Sequence, residues 1–541
     1  MAFDQLSVVL AGLAILIAVG YAANSRLDFT DIPPGLPWVG KQDGFLADLR
    51  TRIRSMGNLL PTIESGYRKY SKAGLNFILP CFDRAMILVP SSHVKWIADQ
   101  ADNVLNAGAM QIEVLQSDWT LLDPTMARNP IHEILIRRDL TRSLGSLIPD
   151  IEEELNVSVD ESWGKDTDNW VEVGAFNTMM KVIARTSNRI FVGLPLCRND
   201  EYLNNAGQFS TDIAISGALI RLIPSFLKPL LAWIVLLPNR WHLYKCSKYL
   251  VPFIRQRIAD LNNARETGAT KEQWNDFTTW YLEEVADNPD PTLRSPEKVM
   301  KRLMTINFAA IHTSTFTATN MLFDLLSSPN AADNLEEIRE EILQVMAENN
   351  GKWDKNSIAK LIKVDSAIRE SLRISTFMTH GMDRMVVKPE GVTMQDGQHL
   401  PRGTRISTAT YSIHHDDRMY HNPEIYDPFR FSRIREVTEN SKAQANGTEA
   451  TNGGVQKDFT KLLESKNLAM VTTSDTFLAF GHGKHACPGR FFAATEMKLL
   501  LAYIILNYEV KTFDSRPPNI FIGESILPPM KATISVKRRK I

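Results

Sequence analysis

The residues best suited to chemistry lie in a glycine-rich loop near the end of the chain. The loop leads into an apolar segment of helical composition and reads Phe480-Gly481-His482-Gly483-Lys484-His485-Ala486-Cys487-Pro488-Gly489. A cysteine at such a junction meets converging backbone N–H groups and the positive end of the helix dipole, which stabilise its thiolate. The pattern therefore predicts an anionic sulfur that binds a metal. The alternative is a buried structural cysteine without a ligand.

The residues around Cys487 suit a flat cofactor. Glycines allow the backbone to approach such a molecule closely. A nearby aromatic side chain can lie against the cofactor, and His485 can contact an acidic group at its edge.

A long helix is predicted earlier in the chain. Ser295 is a favourable N-cap with Pro296 at the first helical position, and the run 327–329 ends the helix. About 30 residues at 1.5 Å each span roughly 45 Å. Residues 303–323 carry no charge, but nine of them are Thr, Ser, Asn or His. Such a segment suits a helix inside the protein better than one that faces lipid.

The loop resembles the heme-binding loop of the cytochrome P450 family. The shared spacing is Phe480-x-x-Gly483-x-His485-x-Cys487-x-Gly489, and the family has Arg or His at the position of His485. The resemblance implies that heme b is the cofactor and that Cys487 is the axial ligand of its iron. A thiolate in that position favours cleavage of the O–O bond.

Two further stretches resemble family motifs in the expected order. Glu370-Ser371-Leu372-Arg373 matches ExxR, in which the i,i+3 spacing places both charges on one helix face. Downstream, Arg430 lies in a segment similar to the one from which the family supplies a further arginine. The resemblance implies that Glu370, Arg373 and Arg430 form a buried structural network under the heme loop.

The middle of the long helix resembles the family's oxygen-binding motif and reads Ala309-Ala310-Ile311-His312-Thr313-Ser314. The resemblance implies that Ala309 and Ala310 leave a groove for dioxygen and that Thr313 orients protons toward it. His312 replaces the usual Asp or Glu. Two interpretations remain open for His312: a proton shuttle with a pKa near neutrality, or a satisfied polar group of the helix.

Two arginines are candidates for the heme propionates. Residues 132–140 are the best match to the family's WxxxR helix, although the tryptophan is absent. The resemblance implies that Arg137 contacts a propionate, and Arg384 is a further candidate. For each of them, an exposed surface arginine is the alternative.

Composition excludes several functional classes. The chain has 541 residues, with 61 basic against 62 acidic groups, and it lacks the basic surface of a nucleic-acid-binding protein. A hydrophobic fraction of 44% excludes a disordered chain. The four cysteines are far apart in the sequence, which excludes a disulfide scaffold and a CxxC zinc site.

The ends of the chain indicate a membrane anchor in front of one large domain. Residues 1–26 are predicted to form a transmembrane helix, because 5–25 carry no charge and about 21 helical residues span roughly 31 Å. A cleaved signal peptide is the alternative, but the first residues lack a basic side chain. Residues 27–40 form a proline-rich hinge and 41–541 the catalytic domain, with an exposed loop at 437–457.

The expected fold class is mainly α with small β-sheets, the cytochrome P450 fold. Further helices are predicted around 335–345 and 359–374, and strands around 385–387, 391–393 and 534–536. Residues 222–238 are interrupted by prolines and a lysine. They form either a membrane-interface segment, with Trp233 at headgroup depth, or an ordinary part of the core.

The resemblance also implies a reaction and its partners. The chain has no flavin or dinucleotide fingerprint, so electrons are expected from NADPH through NADPH–cytochrome P450 reductase, with cytochrome b5 as a second donor. The expected location is the endoplasmic reticulum membrane, crossed once, with the catalytic domain in the cytosol.

The residues of these motifs are similar to those of filamentous-fungal enzymes of the ent-kaurene oxidase and trichothecene oxygenase type. This implies O2-dependent hydroxylation or multi-step oxidation of a lipophilic terpenoid in specialised metabolism. An indole alkaloid or a polyketide is the alternative substrate. A heme-thiolate isomerase or dehydratase and a non-enzymatic heme sensor are the alternatives from other functional classes.

Overall fold

The computed structural model describes residues 32–268, 274–435 and 468–540. The predicted anchor and the predicted loop at 437–457 lie outside these ranges, and the predicted hinge is described only from residue 32. Within the described ranges, no helix combines the length and the apolar character needed to cross a bilayer. The mainly helical fold with small sheets is confirmed.

Helices make up most of the structure. In chain order they are α1 Ala47–Ser55, α2 Leu60–Lys69, α3 Val94–Asp99, α4 Ala107–Leu115, α5 Ser117–Thr120, α6 Thr125–Arg128, α7 Ile131–Leu135, α8 Thr141–Trp163, α9 Ala175–Phe191, α10 Asp200–Leu222, α11 Lys228–Val235, α12 Leu237–Thr267, α13 Phe277–Glu284, α14 Pro296–Leu326, α15 Ala331–Glu348, α16 Lys355–Lys360, α17 Ile362–Ile374, α18 Thr410–His414 and α19 Arg490–Asn507.

The strands are short and form separate small sheets. They are β1 Phe77–Pro80, β2 Ala85–Val89, β3 Leu105–Asn106, β4 Val171–Gly174, β5 Gly381–Val386, β6 Val392–Thr393, β7 His399–Leu400, β8 Arg405–Thr408, β9 Tyr508–Val510, β10 Ile520–Ile522, β11 Ser525–Leu527 and β12 Thr533–Arg538. The largest sheet has the order β1-β2-β8-β5-β3, with β2 and β8 parallel and Ile87 opposite Ile406. A second sheet has the order β4-β12-β9, and β6-β7 and β10-β11 form two-stranded sheets.

The predicted long helix is confirmed as α14. The Ser295 hydroxyl accepts a hydrogen bond from the backbone N–H of Lys298 at 3.3 Å, and Pro296 occupies the first position. The helix has 31 residues and packs against α9, α10, α12 and α17. Because it is covered on several sides, its threonine hydroxyls donate to backbone carbonyls of the helix itself, as those of Thr315 and Thr319 do.

The strands predicted around 385–387, 391–393 and 534–536 fall in β5, β6 and β12, with small shifts at their ends. The helix predicted at 359–374 is instead divided into α16 and α17 at Leu361. The cause lies in α15, where the Glu341 carboxylate accepts hydrogen bonds from the backbone N–H groups of residues 362–364 at 2.6–3.0 Å. This contact caps a new helix start, which the local sequence does not encode.

Two hydrophobic cores meet at the glycine-rich loop. The larger core contains apolar residues of α8, α9, α14 and α19, and the smaller contains those of β1, β2, β5 and β8. Phe477 belongs to the helical core, and its neighbour Leu478 belongs to the sheet core. The loop that follows is therefore anchored to both cores.

Residues 222–238 form α11 and the turns around it. One side packs in a small apolar cluster that includes Leu231 and Ala232. The other side leaves large apolar side chains uncovered: Phe226 is 79% exposed, Leu230 67% and Trp233 53%. The segment therefore has one face that packs in the core and another that exposes apolar side chains. It has the features of both interpretations, the core segment and the membrane-interface segment.

Candidate active site

A cavity of about 560 Å³ lies between the middle of α14 and the loop that precedes α19. Its wall includes Ala309, Ala310 and Thr313 from α14, and Phe480 and Cys487 from the loop. The lining is mainly apolar. The cavity therefore brings together two sequence motifs that lie about 170 residues apart, and a molecule inside it can contact both.

Cys487 lies where the loop turns into α19, and its thiol is accessible from the cavity. The Cys487 backbone N–H donates to the carbonyl of Phe480 at 2.8 Å, which closes the loop. Burial raises the pKa of the thiol, whereas the backbone N–H of Gly489 and the positive charge of Arg490 lower the same pKa. The N–H groups of the helix start favour the thiolate, but burial has the larger effect, so the pKa of the thiol lies above its ordinary value.

The loop glycines have different roles. Gly483 adopts a φ of +74°, and a Cβ on it would lie 2.7 Å from the Cβ of Ala98 in α3. Gly483 does not line the cavity. It was expected to make room for a cofactor, but in the structure it lets the loop pack against α3. Gly489 does line the cavity, and a Cβ there would meet only Ile136, at 3.9 Å.

The opposite wall is the middle of α14. Ala309 and Ala310 are small and leave space beside the helix, and both line the cavity. The Thr313 hydroxyl donates to the carbonyl of Ala309 at 2.8 Å. This bond fixes the hydroxyl on the cavity side, where its oxygen can accept a hydrogen bond. The three residues occupy the positions that the sequence pattern predicts for an oxygen-binding groove.

His312 does not line the cavity, although it is next to Thr313 in sequence. Its Nε2 lies 3.1 Å from the Thr211 hydroxyl of α10, and its ring meets Phe316 edge to face. Burial lowers the pKa of His312, which favours the neutral ring. Of the two interpretations from the sequence, this geometry favours a polar group of the helix, hydrogen-bonded through Nε2, while Nδ1 has no hydrogen-bond partner among the described residues. His312 therefore lies behind the cavity wall, and its catalytic role stays a prediction.

Glu370 is fully buried and binds two arginines. Arg373 donates to both carboxylate oxygens at 2.7 and 2.8 Å, and Arg430 donates from Nε to Oε1 at 2.9 Å. The structure thus joins the three charges that the sequence places in one network. The two arginines balance the charge of the Glu370 carboxylate, which offsets part of the free-energy cost of burying that charge.

His414 connects this network to the loop. Arg373 donates to the carbonyl of His414 at 2.6 Å, and His414 Nδ1 lies 3.1 Å from the carbonyl of Arg373. Burial and the charge of Arg373 lower the pKa of His414 far below its usual range, so the ring is neutral. Its Nε2 accepts the backbone N–H of Leu478 at 2.9 Å. The network therefore supports the chain two residues before Phe480.

The two candidate propionate arginines differ in position. Arg384 on β5 is buried on the cavity wall and donates to the backbone carbonyl of Asp383 at 2.9 Å. Arg137 is exposed, lies off the cavity wall and contacts the carbonyl of Lys484 at 3.4 Å. Arg384 can therefore bind an anion inside the cavity. Arg137 can bind an anion only outside the cavity, next to the glycine-rich loop.

Two acidic residues near the loop were missed by the sequence analysis. Asp102 lies 2.7 Å from His485 Nε2 and 2.9 Å from Lys484 Nζ. Nothing local signals this contact, because 383 residues separate Asp102 from His485. Glu133 interacts electrostatically with Arg137 and His485, and burial raises its pKa. Its position four residues before Arg137, where the family motif has tryptophan, could have identified it.

The residues around the cavity fit a heme. The thiol is accessible, Gly489 leaves an open cradle, and among the described residues no carboxylate lies within ion-pair distance of the Arg384 side chain. Cys487 would bind the iron, and Arg384 would bind a propionate. When bound, a heme with a thiolate ligand supplies the activation of dioxygen.

Comparisons with known proteins agree with this site. The cytochrome P450 family model matches residues 135–536. The cytochrome P450 monooxygenase gloP of Glarea lozoyensis is 33% identical over 517 residues, which cover 93% of this chain and 91% of that protein. The cytochrome P450 monooxygenase 71 of Postia placenta is 33% identical over 530 residues, 97% of each chain. The cytochrome P450 monooxygenase astC of Aspergillus terreus is 30% identical over 539 residues, 98% of this chain and 96% of that protein.

The family match covers most of the chain, and the motifs that carry it converge on one cavity with an accessible thiol. The relatives align over nearly their whole length. The chain therefore belongs to the cytochrome P450 family and is a cytochrome P450 monooxygenase.

Proposed function

We propose that this monooxygenase hydroxylates, or oxidises in several steps, a lipophilic terpenoid in fungal specialised metabolism. The observation that carries the proposal is the mainly apolar cavity between Cys487 and the small residues of α14. Transfer of an apolar molecule from water to such a surface is favourable by roughly 25 cal/mol per Å² of apolar surface that is buried. A hydrocarbon skeleton with few polar groups suits this lining better than a charged metabolite.

The side chains of α14 determine which reaction can take place in the cavity. Ala309 and Ala310 leave room for a small molecule such as O2 beside the substrate. Thr313 holds a hydroxyl at the same point, where it can orient proton donors toward the cavity. The reaction converts a substrate C–H bond to C–OH and the second oxygen atom to water, and it consumes two electrons and two protons.

The electrons must come from another protein. The sequence has no flavin or dinucleotide fingerprint, and the family generally needs a reductase. We assign this role to NADPH–cytochrome P450 reductase, with cytochrome b5 as an auxiliary donor. The loop from 481 to 485 contains partly or fully exposed residues next to Cys487, so a donor protein could approach the cavity from this side.

The proposed location is the endoplasmic reticulum membrane, with the catalytic domain in the cytosol. The uncharged residues 5–25 support an anchor. The exposed apolar side chains of Phe226, Leu230 and Trp233 support a second contact with the lipid surface, because aromatic and aliphatic groups partition into the membrane interface.

The substrate class rests on the motif similarity to terpenoid-oxidising fungal enzymes and on the apolar lining. We would test it by co-expression with a reductase in microsomes that are supplied with terpenoid, indole and polyketide scaffolds under labelled dioxygen. Incorporation of one labelled oxygen atom into a terpenoid, with NADPH consumption, is the expected result. Turnover of only an indole or a polyketide would overturn the terpenoid assignment, and product without labelled oxygen would indicate isomerase or dehydratase chemistry.

A further inference from the structure

A groove on the outside of the protein lies between α5, α12 and the N-terminal part of α14. Its volume is about 800 Å³, and its lining is mostly apolar. The buried side chains of Leu236, Leu243 and Met300 contribute to its inner wall. The groove shares no lining residue with the cavity at Cys487, so the reaction proposed above does not use it.

The part of the chain that supplies most of this groove is strongly basic. Between Asp212 and Asp260 the sequence has no acidic residue, whereas seven residues are Lys or Arg. The same stretch includes α11, whose exposed apolar side chains are described above. A basic segment that also exposes apolar and aromatic side chains is typical of an element that lies on a membrane surface.

Five of these seven cations have a polar partner in the structure. The partners, at 2.6–3.5 Å, are Asp83 for Arg221, Gln116 for Lys228, Glu201 for Lys245, Glu297 for Arg255 and Asp276 for Arg257. The side chains of the other two, Arg240 and Lys248, form no hydrogen bond or ion pair with any described residue. Both line the groove, where the Lys248 ammonium lies 5.0 Å from the centre of the Tyr244 ring.

The other charged side chains of the groove are already paired. Asp118 accepts a hydrogen bond from Arg128 Nε at 3.0 Å, and Glu297 pairs with α12 as stated above. The third cation of the lining, Lys301, lies 3.6 Å from Asp123. The two free cations therefore have no counter-charge in the groove, and they suit a ligand that carries an anionic group.

The exposed side chains of α11 and α12 have the order of a membrane interface. α11 exposes mainly aliphatic side chains, and α12 begins with Trp241 and Tyr244, which are 56% and 55% exposed. Arg240, Tyr244 and Lys248 are spaced by four residues, so they lie on one face of α12. In a bilayer, aliphatic groups enter the hydrocarbon, aromatic rings lie at the depth of the headgroups, and Lys or Arg binds anionic lipid.

We propose that the groove binds the headgroup of an anionic phospholipid, with Arg240 and Lys248 as the residues that bind its negative charge. This inference rests on the membrane contact proposed for α11 and names the lipid class that the contact selects. An uncharged terpenoid has no group for two cations, and a soluble anion has no group for the apolar inner wall. An anionic phospholipid has both, and the cytosolic leaflet contains such lipids.

The test measures lipid binding to the full-length holoenzyme in a neutral detergent by native mass spectrometry. The probes are dioctanoyl phosphatidylserine and dioctanoyl phosphatidylcholine, which have the same acyl chains and differ in net charge. We expect the wild type to bind phosphatidylserine more tightly. Arg240→Gln and Lys248→Gln should each weaken that binding about five-fold, and the double variant about 25-fold. The effect on phosphatidylcholine should be smaller, because its choline group balances its phosphate.

Lys355→Gln is the matched control. It removes the same charge from an exposed side chain of α16, a helix that packs against α8, α15 and α19, and it should leave both affinities unchanged. The heme absorbance of each variant confirms that the protein is folded. Inorganic phosphate tests the other source of the same chemistry. Because it has no acyl chains, it should not displace phosphatidylserine from the wild type.

Equal affinity for the two lipids, wild-type affinity in the double variant, or displacement by inorganic phosphate would each overturn the proposal. A separate measurement tests the membrane contact on which it rests. Phosphatidylcholine bilayers whose acyl chains carry a diazirine should label α11 of the reconstituted wild type on illumination. Absence of label from α11 would contradict the proposed membrane contact, and the mass spectra would still decide whether the groove selects an anionic lipid.

Discussion

The Arg430 Nε donates to Glu370 Oε1 at 2.9 Å, and this one bond joins two segments that lie 60 residues apart. Arg373 binds the same carboxylate within its own helix, so Glu370 is the carboxylate partner of both arginines. Through His414 and Leu478, the network supports the loop that carries Cys487. The stability of the heme site should therefore depend on a residue that does not touch the cavity.

Replacing Glu370 with Gln should leave the buried Arg373 and the partly buried Arg430 without their carboxylate partner. We expect a loss of about 3–5 kcal/mol in the free energy of unfolding and a low heme content after purification. Chemical unfolding and the heme absorbance per protein measure these effects. Glu336 is the control, since it pairs with Arg339 at the same i,i+3 spacing but is 57% exposed. Glu336→Gln should cost no more than about 1 kcal/mol, and an equal cost for both variants would contradict the structural role.

Replacing Thr313 with Ala should uncouple electron use from product formation. The hydroxyl that faces the cavity is lost while the helix remains, so NADPH is still consumed but product per NADPH falls several-fold. Thr319→Ala is the matched control, because Thr319 forms the same kind of bond to the carbonyl four residues earlier, at 2.7 Å, but lies off the cavity wall. Unchanged coupling in Thr313→Ala would count against the proton-delivery role.

Replacing His312 with Gln should leave coupling unchanged, because the side chain lies off the cavity wall and Gln can still bond to Thr211. Thr211→Val removes the partner and should cost about 1 kcal/mol of stability. Product per NADPH and the unfolding midpoint separate the two effects. If His312→Gln alone uncouples the enzyme, the other interpretation is correct and His312 acts as a proton shuttle.

Stability should fall as the pH rises above the normal range of histidine. Burial would lower the pKa of His380, but the carboxylates of Asp383 and Glu524 raise it to about 10. The folded protein then retains a proton that the unfolded chain releases near pH 6.5, so this contribution is complete below 6.5 and is lost as the pH rises toward 10. The contribution of this proton to the free energy of unfolding is about a few kcal/mol at most.

The pH effect is measured from the melting temperature over that range in wild type and in His380→Gln. The wild type should lose more stability with rising pH than the variant, whose side chain does not titrate. Parallel curves would show that His380 is not held protonated between the two carboxylates.

The sequence predicted the parts of the site that depend on local chemistry. The N-cap at Ser295, the uncharged middle of α14 and the i,i+3 pair at Glu370 are local features, and each has the expected structure. Cys487 and Ala309 were expected at one site by family resemblance, and the cavity brings them together.

The remaining features depend on contacts that span the chain. The partner of His312 lies on α10, the partner of His485 is Asp102, and Gly483 is constrained by Ala98. A sequence pattern shows which side chains are present but not which distant element lies against them. For the same reason, Glu496 looks like an ordinary helical glutamate until its full burial on α19 is known.

The central claim is that Cys487 binds heme iron as a thiolate, and the reduced carbon-monoxide difference spectrum tests it most directly. The wild type should give the red-shifted Soret band of a thiolate-ligated heme. Cys487→Ala and Cys487→His should lose that band, while Cys246→Ala, at a buried cysteine away from the cavity, should keep it. Retention of the band in either Cys487 variant, or its absence from folded wild-type protein that contains heme, would contradict the account.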